Sequence, residues 1–65
     1  MGFVWDYLEA RGASAGRSEV FDEREAAEDW MGRAWGELLA RGVEEVALVD
    51  LDRDRRLYRM GLREE

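Results

Sequence analysis

Residues 22–42 read DEREAAEDWMGRAWGELLARG, and the reading of this stretch decides the fold. Ala27, Trp30, Met31, Ala34, Trp35 and Leu38 recur at the spacing of one helix face. Asp22 offers an N-cap oxygen, and Glu25 follows three residues later, as in a capping box. Phe21 and Ala26 stand where a hydrophobic staple would clasp the first turn. At the other end Gly42 suits the left-handed position just past a helix, with Arg41 near the negative end of the dipole. Val43 is then placed to touch Leu38, as in a Schellman motif. These signals predict a helix over about residues 23–41. Asp29 with Arg33, and Glu37 with Arg41, add i,i+4 pairs worth a few tenths of a kcal/mol each.

At about 100° per residue, Ala27, Met31, Ala34 and Leu38 share the centre of the apolar stripe, with Trp30 and Trp35 on its two edges. Alanine at the centre lets a helix approach a sheet that carries bulky side chains. Gly32 and Gly36 fall toward the opposite, solvent side, and each costs the helix about 1 kcal/mol relative to Ala. Their G-x-x-x-G spacing also permits close approach of a partner backbone.

The flanking segments supply the sheet. In FVWDYLE, from Phe3, alternation sends Phe3, Trp5 and Tyr7 to one face and Val4, Asp6 and Leu8 to the other. ARGASAGR then reads as a loop of small residues, and SEVF, residues 18–21, as a short returning strand. After the helix, VEEVALVDL is strand-like, DRDR a turn, and RLYRMGL a second strand. Val46 and Leu48, with Tyr58, Met60 and Leu62, are the larger set and are expected to face the helix, with Asp50 opposite Arg56. In the other register Ala47, Val49 and Leu51 would face it. The expected fold is therefore α+β: a single small domain over 1–65 in β-β-α-β-β order, with one helix packed on a four-stranded antiparallel sheet.

The preferred register has a consequence. It leaves Val4, Leu8, Ala47, Val49, Leu51 and Leu57 on the sheet face away from the only helix. A sheet covered on one side is normally polar on the other. This apolar set is the candidate interface, for a second copy of the chain or for another protein.

Composition narrows the function classes. A chain of 65 residues has a core of marginal size, which usually needs a disulfide, a metal, an oligomer or very regular packing. Neither Cys nor His occurs, so disulfides, thiolate metal sites and the commonest general base are excluded. Self-association and tight packing remain. Lys, Ile, Asn, Gln, Thr and Pro are also missing; Arg in place of Lys reads as the mark of a GC-rich genome. The net charge of −6 disfavours general affinity for nucleic acid or anionic membranes. Asp6 and Glu9 interrupt the first apolar run, so no signal peptide or membrane span is expected, and the default location is the cytoplasm.

Gly12-Ala13-Ser14-Ala15-Gly16 matches G-x-S-x-G, the nucleophile elbow of α/β-hydrolases. An elbow runs from strand into helix, whereas RSEVF is strand-like, and no His or Lys is present to activate Ser14. The reading is a mobile hairpin loop. Arg11, Ser14, Arg17 and Ser18 could cradle an anion, but the loop does not open a helix and lacks a G-K-[ST] ending. Asp50, Asp52 and Asp54 resemble the opening of a calcium loop, yet Arg55 and Gly61 occupy the positions of its Gly and Glu. A charged hairpin turn fits better.

Arg53, Arg55, Arg56, Arg59 and Arg63 form a candidate basic patch on the last hairpin. Interleaved acids favour protection of a sheet edge or cross-strand ion pairs. A β-ribbon that binds nucleic acid is the alternative, and the acidic first turn of another copy's helix is a further counterpart. No catalytic residue, metal, cofactor or small-molecule ligand is inferred. The expected function is a non-catalytic protein-interaction module, homodimeric through the outer sheet face.

Overall fold

A computed structural model describes residues 2–62. It contains β1 (Phe3–Leu8), β2 (Ser14–Arg17), α1 (Arg24–Ala40), β3 (Glu45–Asp50) and β4 (Arg55–Gly61). All strand pairs are antiparallel, and the sheet order is β2-β1-β3-β4. The two hairpins are thus joined through β1 and β3, the two central strands. The fold is the small α+β domain that the hydrophobic patterning predicts.

The end of α1 follows its sequence signals closely. Gly42 has φ +97, Val43 N–H bonds the Leu38 carbonyl at 3.0 Å, and Gly42 N–H bonds that of Leu39 at 3.1 Å. Those two bonds are the Schellman pair, and Leu38 and Val43 are both buried in the core. The start differs from expectation. Glu23 is the N-cap residue, with extended backbone and no side-chain cap, so the box between Asp22 and Glu25 does not form. Phe21 packs on Trp30, with ring centroids 5.4 Å apart, while Ala26 is exposed. A ring one turn further along offers Phe21 far more surface than a methyl group. Of the two expected i,i+4 pairs, Asp29–Arg33 forms at 3.4 Å.

The first hairpin is tighter than predicted. The returning strand is Ser14–Arg17, not SEVF, so the second half of the small-residue loop is strand. Gly12, at φ +84, closes the turn, with its N–H on the Glu9 carbonyl at 2.8 Å. Tyr7 pairs with Gly16 and Leu8 with Ser14, which leaves Ala15 as the bulge residue. Ser18 ends the strand by chemistry that alternation does not reveal: its Oγ accepts the Trp5 N–H at 2.9 Å and donates to the Glu19 carbonyl at 2.8 Å. Val20 is consequently exposed. Phe21 returns to exchange two backbone hydrogen bonds with Phe3, at 2.7 and 2.8 Å.

The core lies between α1 and the sheet. Trp5, Tyr7, Val46, Leu48 and Leu62 meet Ala27, Met31 and Leu38 there, so the preferred register of the second hairpin holds. Two of its details do not. Asp50 pairs with Arg55 and Val49 with Arg56, because Leu57 is an extra residue bulged between Arg56 and Tyr58. Leu57 is half-buried and packs against the helix-side core rather than lying on the outer face. Met60 faces the helix side but remains exposed.

Candidate functional site

The sequence points to the outer sheet face. Cross-strand pairing sets Val4, Val49 and Arg56 in one row and Arg17, Asp6, Ala47 and Arg59 in the next. Leu8 and Glu45 follow with Ser14 and Gly61. Val4, Leu8, Ala47 and Val49 are all buried within the single chain. Leu51 is half-buried in the turn after β3, its N–H on the Gly2 carbonyl at 2.8 Å. Long charged side chains stand among them. Asp6 takes the Arg17 guanidinium on one oxygen and lies 3.9 Å from Arg56 on the other, and Arg59 reaches Glu45 at 3.7 Å. Arginine stems cover apolar surface well while their heads stay wet. The face therefore offers a partner mainly guanidinium and carboxylate groups.

The other motifs have local duties. Asp50 accepts the N–H groups of Asp52 and Arg53 at 3.0 and 3.4 Å, so DLDRDR spans the β3–β4 turn with Asp50 as its cap. Arg53 lies 4.0 Å from Asp50. Arg55 makes no ion pair with a described residue. Arg63 lies outside the described residues. Ser14 is exposed on the short edge strand β2. Arg17 and Ser18 are committed to Asp6 and to the Trp5 backbone, which takes two members from the proposed anion cradle.

The opening that sequence reasoning missed is a groove of about 340 Å³ between α1 and β4. Its origin is dimensional. Four strands about 4.8 Å apart span roughly 14 Å between the outer axes, and one helix is about 10 Å across. Here α1 lies across β1, so the β4 edge is left uncovered. Trp5, Met31 and Leu62 form a buried floor, and Trp35 and Met60 stand on the two sides. They remain 41% and 39% exposed. Gly32 widens the helix-side wall, and Gly61 lines the β4 side with backbone alone, its missing side chain belonging to the outer face. A Cβ at either position would meet nothing within 4 Å, and neither has positive φ.

One end of the groove is polar. Glu28 accepts the Tyr58 hydroxyl at 2.7 Å and Arg24 Nε at 3.2 Å. The Tyr58 bond, then the Arg24 bond, lower the carboxyl pKa. Burial, reinforced by the Glu28 bond, pushes the Tyr58 phenol up to about 12. Arg24 lies 5.4 Å from the Tyr58 ring centroid, within cation–π range. The end is thus internally satisfied: a neutral phenol, a carboxylate and a guanidinium in mutual contact.

A trace of this groove exists in the sequence. Trp35 sits at one edge of the helical stripe, and Glu28 and Gly32 continue around the helix from it, Gly32 about 140° from Ala27. What that edge faces depends on strand order, which has no local signal. Compared with known family models, curated proteins and solved structures, the chain matches none of them. Among the described residues no helix is long and apolar enough to cross a membrane.

Proposed function

We propose that this chain is a non-catalytic protein-interaction module whose recognition surface is the groove between α1 and β4. One observation carries the reading. Two large side chains, Trp35 and Met60, stay exposed beside an apolar floor, and the helix wall between them is kept open by Gly32, which has ordinary φ and room for a side chain. Gly32 costs the helix about 1 kcal/mol relative to Ala, and Gly in a strand often marks close approach of another backbone. Grooves of this size that are mostly apolar, with one polar end, suit ligand or peptide side chains. Self-association through the outer face has less behind it. Val4, Leu8, Ala47 and Val49 are already shielded, and a stable dimer needs about 800 Å² from each partner.

The test uses the dye 8-anilinonaphthalene-1-sulfonate as an apolar probe. Its fluorescence is expected to rise on the folded protein, and the Trp35 indole resonance to shift. Gly32→Leu, which fills the groove from the helix side, is expected to remove both effects. A folded protein that leaves the dye dark, or a Gly32→Leu variant that binds it unchanged, overturns the proposal.

A further inference from the structure

We infer that the groove takes an extended protein segment with alternating acidic and apolar residues, added as a fifth strand along β4. The inference rests on the groove being the recognition surface and names what enters it.

Three features of β4 converge on a strand. It is an edge strand of seven residues, regular from Tyr58 to Gly61 beyond its bulge at Leu57, whereas the opposite edge, β2, has only four residues, one of them bulged. Its outward backbone groups are identifiable. Leu62 N–H points inward, to the Glu44 carbonyl at 2.9 Å. By alternation Met60 and Tyr58 also face β3, which turns the N–H and C=O of Arg59 and Gly61 to the free edge. Those groups can pair with an added strand, as in recognition by strand addition. Gly61, without a side chain, lets that strand lie close.

Side-chain alternation then fixes the chemistry of the occupant. Half of the added strand's side chains would fall on the helix side, beside Tyr58 and Met60 and against Trp35. Those positions call for large apolar groups. The other half would fall on the outer face beside Arg56 and Arg59. Both arginines are about half exposed, and their nearest carboxylates, Asp6 and Glu45, are 3.9 and 3.7 Å away. Such separations supply Coulombic attraction without hydrogen bonds, so guanidinium N–H donors remain for incoming carboxylates. The same arginines argue against a second copy at this edge. Pairing β4 with another β4 would set Arg56 and Arg59 against like charges.

The probe is the N-acetylated, C-amidated heptapeptide Glu-Leu-Glu-Phe-Glu-Leu-Glu, titrated to about 1 mM, the range of a weak site. A matched peptide carries Lys in place of every Glu, and a third arm uses a ten-residue oligothymidylate. Chemical shifts of the Trp35 indole report the groove; hydrogen exchange of the Arg59 and Gly61 amides reports the edge. The acidic peptide is expected to shift Trp35 and to slow both amides. It should bind about tenfold more tightly than the Lys peptide, a factor equivalent to about 1.4 kcal/mol. Gly32→Leu should weaken it by a similar factor, and Arg56→Glu with Arg59→Glu should reverse the preference.

Equal binding of the Lys peptide, or shifts at Trp35 without protection of Arg59 and Gly61, overturns the acidic-strand inference and leaves the groove reading standing. Tighter binding of the oligonucleotide overturns it as well. So does protection of both amides in a peptide-free dimer, detected by light scattering. No response to any peptide, together with no response to the dye, removes both readings.

Discussion

The indole nitrogen of Trp5 donates a 2.8 Å hydrogen bond to the carbonyl oxygen of Ala27. This bond ties the centre of β1 to the first turn of α1. Both residues are fully buried, so the small methyl of Ala27 brings helix backbone within reach of a sheet side chain. Tyr58 packs edge-on with the same indole, with centroids 6.0 Å apart. Trp5 therefore sets the helix height over the sheet and, with Met31 and Leu62, forms the groove floor.

Trp5→Phe should destabilise the domain by about 2 to 3 kcal/mol, combining a lost buried hydrogen bond with an underfilled core. Urea denaturation followed by circular dichroism measures this. A loss below about 0.5 kcal/mol would show that the Ala27 bond does not hold the helix in place.

Two glycines should respond to Ala with opposite signs. At Gly2, φ is +154 and a Cβ would sit 2.1 Å from the Phe21 carbonyl oxygen, a backbone atom that cannot step aside. Gly2→Ala should cost about 2 kcal/mol or more. At Gly32 the space is open, and Gly32→Ala should add about 0.5 to 1 kcal/mol of stability. Thermal melts of the two variants decide it; equal signs would contradict the described backbone at Phe3–Phe21.

Both tyrosines should titrate late. Burial raises the Tyr7 pKa, and burial with the Glu28 bond holds that of Tyr58 at about 12, against 10.0 for the free side chain. Between about pH 10 and 12 the unfolded chain loses the Tyr58 proton while the folded chain keeps it. This stability is therefore fully present below pH 10 and declines as pH rises through about 12. Absorbance at 295 nm should show less tyrosinate at pH 10 in the native protein than in urea, where both phenols titrate in a normal step. A native step centred at 10 would mean that the Glu28–Tyr58 contact is absent in solution.

The elements, the helix end at Gly42 and the register of Val46 and Leu48 were all legible, because each rests on contacts between residues near in sequence or on a two-residue period. The helix start and the second strand were less so. Phe21 chose the ring of Trp30 over Ala26, and Ser18 spent its hydroxyl on Trp5, thirteen residues away; both are side-chain choices made across the fold. The outer face was legible as apolar but not as shielded. Arg17, Arg56 and Arg59 stand on that face in ion pairs with Asp6 and Glu45, and which charges meet there depends on which strands are neighbours.

The amino-acid sequence alone determined that one amphipathic helix, with Ala27, Met31, Ala34 and Leu38 along its face, packs on a four-stranded antiparallel sheet through Trp5, Val46 and Leu48. Local periodicity and the Gly42 cap suffice for that, since burial and backbone geometry act residue by residue. Only the tertiary structure decided that the helix lies over β1, that β4 is an edge, and that Trp35 and Met60 face each other across open space. Those facts follow from strand order and from a single helix being narrower than the sheet it covers, a mismatch that belongs to the assembled layers and to no segment of the chain.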